Sequence, residues 1–201
     1  MKQNKLHFGA AILGLAAVLS LPVAASASDL TDKCDKCHGK NGVSEDDKVP
    51  SIAGFSKVTI EDTMLQYKSG DRPADDYKPK DGESDNMHEI SEKLSEDDIK
   101  SVAAHYSKQK FVPREQSFDA ALAKAGAKVH DKQCEKCHSD NGANAKDDAA
   151  ILAGQWRGYL KRQFELIASG EREVPKKMAK KFEKLKDGDV EKLIEFYVGA
   201  Q

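Results

Sequence analysis

The stretches CDKCHGKNG at residues 34–42 and CEKCHSDNG at residues 134–142 are one phrase written twice, and together they use all four cysteines of the chain. Three chemistries compete for a Cys-x-x-Cys-His pair. A zinc site assembled from two Cys-x-x-Cys knuckles would have to bridge a gap of nearly one hundred residues, and it leaves both histidines unexplained. A thioredoxin-like dithiol needs one such motif at a strand-helix junction and has no use for the histidine that follows. Covalent haem uses every residue of the motif: two thiols add to two vinyl groups, and the adjacent histidine is carried to the iron. The spacing therefore predicts two covalently bound haem c groups, at Cys34 and Cys37 and at Cys134 and Cys137, with His38 and His138 as iron ligands.

Working outward, the two motifs are landmarks in a longer repeat. At an offset of one hundred, IAGF from Ile52 falls on LAGQ from Leu152, and YKSGDR from Tyr67 on IASGER from Ile167. Farther on the offset becomes ninety-one, and LSEDDIKSVAAHY from Leu94 overlays LKDGDVEKLIEFY from Leu185. A register held over so many positions indicates duplication of one unit. The first unit carries extra residues around PADDYKPKDGESDN (residues 73–86), an acidic stretch with Pro and Gly that predicts a solvated loop.

Each unit closes with a helix: Ile99, Val102, Ala103 and Tyr106 recur at the spacing of one helical face, as do Val190, Leu193, Ile194 and Tyr197. Ser95 with Asp98 predicts a capping box for the first of these helices, and Asp187 is the expected cap of the second. No run of alternating β-branched residues appears. The expected fold is all-α, with two tandem domains, each with one covalent haem, at residues 28–110 and 111–201. The linker, about residues 107–119, contains Pro113 and so interrupts any continuous helix.

The register also selects a second iron ligand in each unit. Met87 overlays Met178 at the offset that aligns the closing helices, so these two are the predicted distal ligands, and Met64 is assigned to core packing. His88 stands next to Met87 and competes with it for the first site, although its repeat partner is Ala179. His105 and His130, each without a histidine at the matching position, are expected at the surface or in structural roles. Two occupied axial positions leave no room for a substrate at iron. The implied activity is one-electron transfer with no catalytic residue on this chain.

At the N-terminus, Lys2 and Lys5 precede an apolar run that leads through Pro22 to Ala25-Ser26-Ala27. This order predicts a secretory signal over residues 1–27 and a periplasmic mature chain without a membrane span. Without Lys2 and Lys5 the formal charge moves from −2 to −4. It is uneven, about −6 over residues 28–110 and +2 over 111–201, and KKMAKKFEKLK around Met178 carries six lysines and one glutamate. Such a patch would steer an acidic partner. An acidic chain without a fold-wide basic surface excludes nucleic-acid binding.

Two Cys-x-x-Cys-His units, each followed by a methionine and a closing helix that ends in tyrosine, resemble the cytochrome c4-related two-domain dihaem cytochromes. Within the second half, QSFDAALAKAGAKVHDKQCEKCH, ILAGQW and KKMAKKFEKL resemble the dihaem subunit of flavocytochrome c sulfide dehydrogenase. That resemblance covers residues 116–186 and implies a separate FAD-containing subunit that oxidises sulfide and passes electrons here. No glycine-rich dinucleotide fingerprint occurs, so no FAD is expected on this chain itself. A free-standing cytochrome c4-type shuttle to a terminal oxidase, and a dihaem enzyme acting on a small molecule, are the alternatives.

Overall fold

The computed structural model describes residues 27–201. Apart from Ala27, the expected export signal lies outside the described residues.

Among the described residues, five helical segments in the first half are answered by six in the second, which has an additional 3-10 turn at Ala145–Asp147. In the first half α1 is Ala27–His38, followed by a single 3-10 turn at Lys40–Gly42, then α2 (Lys57–Ser69), α3 (Met87–Glu92) and α4 (Glu96–Tyr106). In the second half α5 is Ala120–Gln133, α6 the short turn Ser139–Gly142, α7 Arg157–Ala168, α8 Lys176–Phe182 and α9 Asp189–Gly199. Among the described residues the extended pairing is confined to one isolated bridge between Tyr77 and Asp85. The fold is all-α. Residues 107–119 form no helix, in keeping with Pro113. No helix among the described residues is long and apolar enough to cross a membrane.

The closing helices bury the predicted stripes. Ile99, Val102, Ala103 and Tyr106 are buried on α4, as are Leu193, Ile194 and Tyr197 on α9, with Val190 packed at the edge. Met64 belongs to the first core with Leu30, Phe55 and Ile60, as the repeat register implies. α5 crosses α9 at close range because residue 126 is glycine; a side chain there would run into the Lys192 carbonyl and the Phe196 side chain.

Helix starts follow local chemistry. Ser95 and Asp98 form the expected capping box on α4. The expected cap of α9 does not form: Gly188, at φ 79°, is the N-cap, and Asp189 inside the helix accepts from the Lys186 amide. A left-handed backbone position ahead of the helix selects glycine. The carboxylate that then reaches back, Asp189, is two residues later than Asp187.

The halves are joined by more than the linker. Gln155 is fully buried, and its side chain accepts from the Ser51 amide (3.1 Å) and donates to the Ser51 carbonyl (2.7 Å). Trp156 Nε1 donates to the Ser44 carbonyl, and the Gly158 and Tyr159 amides donate to Asp47. Ile151 packs into the first core. The acidic insert is less solvated than its composition implies. Asp75 takes a bidentate bond from Arg162 of α7 (2.7 Å to each oxygen), Tyr77 donates to Asp46, and Asn86 donates to Asp76.

Candidate functional site

The two attachment motifs have matching surroundings. His38 is buried, and its Nδ1–H donates to the Pro50 carbonyl at 2.9 Å; His138 Nδ1–H donates to the Ala150 carbonyl at 3.3 Å. A carbonyl can only accept, so in both rings Nδ1 holds the proton and Nε2 keeps its lone pair. That is the tautomer an iron ligand needs, with the orienting bond on the opposite nitrogen. Burial pushes both imidazoles below their ordinary pKa, which keeps them neutral and able to ligate.

The loops after the motifs share one construction. Asn41 and Asn141 adopt left-handed backbone, as do Gly42 and Gly142. The Gly42 carbonyl accepts from the Ile52 and Ala53 amides, and the Gly142 carbonyl from those of Leu152 and Ala153. A side chain at Gly42 would strike Tyr106, and one at Gly142 would press on Tyr197. The Gly54 and Gly154 amides donate to the Tyr106 and Tyr197 carbonyls, which ties each loop to its closing helix. These contacts bring the carbonyls of Pro50 and Ala150 back to the histidines.

The thiols are unsuited to redox catalysis. Burial pushes the Cys34 thiol up to about 11, and burial also raises Cys37 and Cys134. A dithiol catalyst requires the opposite shift. Among the described residues no three His, Cys, Asp or Glu side chains converge on a metal position.

The predicted distal methionines open or ride on the short helices that return toward the motifs. Met87 is the first residue of α3, and Asp85, two residues before it, acts electrostatically on Cys37. Met178 lies on α8, whose Lys181 acts on Cys134 and donates from Nζ to the Lys132 carbonyl at 2.9 Å. Phe182 of α8 stacks on Phe164 of α7. Both methionines are half-buried. His88 Nδ1–H donates to the Tyr67 carbonyl (2.7 Å), which pins α3 to the end of α2.

Two arginines that the repeat aligns but the sequence did not single out meet between the halves. Arg72 donates to the Tyr159 hydroxyl and to Gln163 Oε1 (2.9 Å), and Arg172 donates to the same Gln163 oxygen (2.8 Å). Arg72 is only 5% exposed, and the Nε of each arginine is buried without a partner. Burial and the neighbouring Arg72 push the Arg172 guanidinium down to about 10, still charged at neutral pH. Two buried cations sharing one neutral amide oxygen require anions. Haem brings two carboxylates of its own, so the residues fit the group. The cysteines and histidines would hold the macrocycle and iron, and Arg72 and Arg172 the propionates. Position 72 against 172 in SGDR and SGER was the available signal, but both read as exposed charges without the fold.

Comparisons with known proteins give the family and the fold. A family described as cytochrome C oxidase, cbb3-type, subunit III matches residues 121–196. Cytochrome c-554(548) of Halomonas halodenitrificans is 31% identical over 86 residues, covering 43% of this chain and 95% of that protein. Cytochrome c4 of Stutzerimonas stutzeri is 28% identical over 152 residues, 69% of each protein. The crystal structure of reduced recombinant cytochrome c4 from Pseudomonas stutzeri superposes with a TM-score of 0.69 at 26% identity, covering 89% of this chain and 100% of that one. An all-α chain with two histidine-bearing attachment motifs is thereby placed, and it belongs to the cytochrome c family. Within that family it is a cytochrome c4-like electron-transfer protein with covalent haem c.

Proposed function

We propose that this chain relays single electrons through two haems, one held by Cys34, Cys37, His38 and Met87, the other by Cys134, Cys137, His138 and Met178. The domains are residues 28–110 and 111–201. When bound, haem supplies a reversible one-electron carrier. The chain's residues do the remainder. Pro50 and Ala150 orient the histidines, the buried cores exclude water, and Arg72 and Arg172 place positive charge between the halves. The single supporting observation is the repeated histidine-to-carbonyl bond, which leaves Nε2 free in both motifs. Pyridine haemochrome analysis should give two haems per chain; one or none would overturn this assignment.

The donor we infer is an FAD-containing sulfide dehydrogenase subunit in the periplasm, on the strength of the resemblance over residues 116–186. Exposed Lys176, Lys177, Lys180, Lys184 and Lys186 around Met178 would receive an acidic partner. A free cytochrome c4-type shuttle to a terminal oxidase is favoured instead by the likeness to cytochrome c4 over the whole length of that protein. Gentle purification of the native protein from the periplasm discriminates between them. Flavin in near-equal amount, with haems reduced by sulfide, supports the dehydrogenase partner; haem without flavin and without response to sulfide supports the shuttle.

A further inference from the structure

Tyr106 and Tyr197 occupy matching positions at the ends of α4 and α9, yet their hydroxyls meet different chemistry. In the first half Tyr106 donates directly to Asp35 (2.7 Å), and apolar Leu30 is buried on the same helix as that carboxylate. The repeat places His130 where Leu30 stands and Glu135 where Asp35 stands. His130 is fully buried, at 0% exposure, and its ring lies between the Tyr197 hydroxyl (Nδ1, 2.9 Å) and the Glu135 carboxylate (Nε2, 2.5 Å). The same hydroxyl is within hydrogen-bonding reach of Cys134 Sγ. A polar line thus runs from an attachment sulfur through Tyr197 and His130 to Glu135, whose side chain is 42% exposed. The first half has the corresponding line from Cys34 through Tyr106 to Asp35, but no histidine stands in it.

We propose that His130 is the proton acceptor of the second haem site: it takes up one proton from water through Glu135 as that site gains one electron from its redox partner, and releases it when the electron leaves. This rests on the two-haem assignment above. An added electron in a low-dielectric interior favours a positive charge close by. An imidazole is the side chain whose ordinary titration falls between pH 5 and 8. Both protonation states are satisfied where they stand. Neutral His130 donates from Nε2 to Glu135 and accepts the Tyr197 O–H at Nδ1. Charged His130 donates from both nitrogens, and the Tyr197 O–H turns to Cys134 Sγ. Burial keeps the Tyr197 hydroxyl protonated throughout.

The charged and titratable surroundings leave the role to His130. Glu135 follows α5, Tyr197 and the neutral Phe196 ring come from α9, Lys181 of α8 acts on Cys134, and His138 is held neutral by burial. His130 is eight positions from His138 in sequence and is not itself an iron ligand.

Spectroelectrochemical titration of the haem-loaded protein between pH 5 and 8 tests the proposal. The second haem's midpoint potential should fall as pH rises, by up to about 59 mV for each tenfold change in proton concentration, the value for one proton per electron. His130→Leu, which installs the first half's residue, should flatten that slope. Glu135→Gln removes the carboxylate that stabilises the imidazolium and should move the sloping interval to lower pH. Ring NMR of His130 should show tighter proton binding in the reduced than in the oxidised protein, as linkage requires. A level potential in the wild type, or a slope that survives in His130→Leu, overturns the inference. Should His130→Leu fail to fold, an unmoved interval in Glu135→Gln does the same. Absence of a second haem spectrum would instead overturn the two-haem assignment.

Discussion

In the first half the residues from Cys34 to His38 are the end of α1, whereas in the second half α5 stops at Gln133 and the motif continues as hydrogen-bonded turns that leave helical backbone at His138. The bonds that hold the following loop differ accordingly. Asp35, inside the first motif, accepts from the Asn41 and Gly42 amides and from Tyr106. In the second half that work passes to Asp147, which accepts from the Ser139 amide and hydroxyl, while Glu135 points to His130. Both copies preserve the same end result, a histidine with Nδ1 on a carbonyl twelve residues on. The difference teaches that duplication has conserved the placement of the ligand and let its supports diverge.

The comparison breaks most completely if one copy loses its anchors. Cys134→Ser with Cys137→Ser should halve the covalent haem content by haemochrome assay while leaving the first site loaded; full content would sever the motif from attachment. Next come the methionines proposed as axial ligands. Met178→Ala should lower the second site's potential by on the order of 100 mV, within the roughly 0.8 V over which axial ligands act. Met87→Ala should do so at the first, with no change at the other in either case.

Gln155→Ala would strip the Ser51 amide and carbonyl of their partners across the halves. Each buried group left unpaired costs about 1–3 kcal/mol, so a loss of about 2–4 kcal/mol in urea denaturation is expected. The smallest effect belongs to the acidic insert. The bond from Arg162 holds the Asp75 carboxyl below its ordinary pKa. A depressed carboxylate stabilises the fold above its unfolded pKa of about 3.9, and that contribution disappears as pH falls through the lower folded value. Because both side chains are exposed, Asp75→Asn should cost no more than about 0.5 kcal/mol at neutral pH, and less in high salt.

Much of this architecture was legible in the sequence because its signals are local or periodic. The stripes of α4 and α9 and the core place of Met64 follow from spacing and register. His130, with no histidine opposite it, is expected at the surface or in a structural role, and the structure buries it between Tyr197 and Glu135. Burial beside Tyr197 depends on how α5 crosses α9, which the residue itself does not encode. Arg72 and Arg172 are illegible for the same reason: each is an ordinary charge until two halves bring them to one glutamine. The α9 cap turned on a single backbone angle at Gly188. The joining of the halves through the insert and through Gln155 required contacts across a hundred residues of chain, beyond the reach of any local pattern.

That last contact bears on the order of assembly. Ser51 leaves the synthetic machinery about a hundred residues ahead of Gln155, and until the later segment arrives its buried amide and carbonyl have no partner. The early copy is therefore finished by the late one. A fragment ending at residue 110 should remain less protected from proteolysis around Ser51 than the intact chain, even when its own haem is in place.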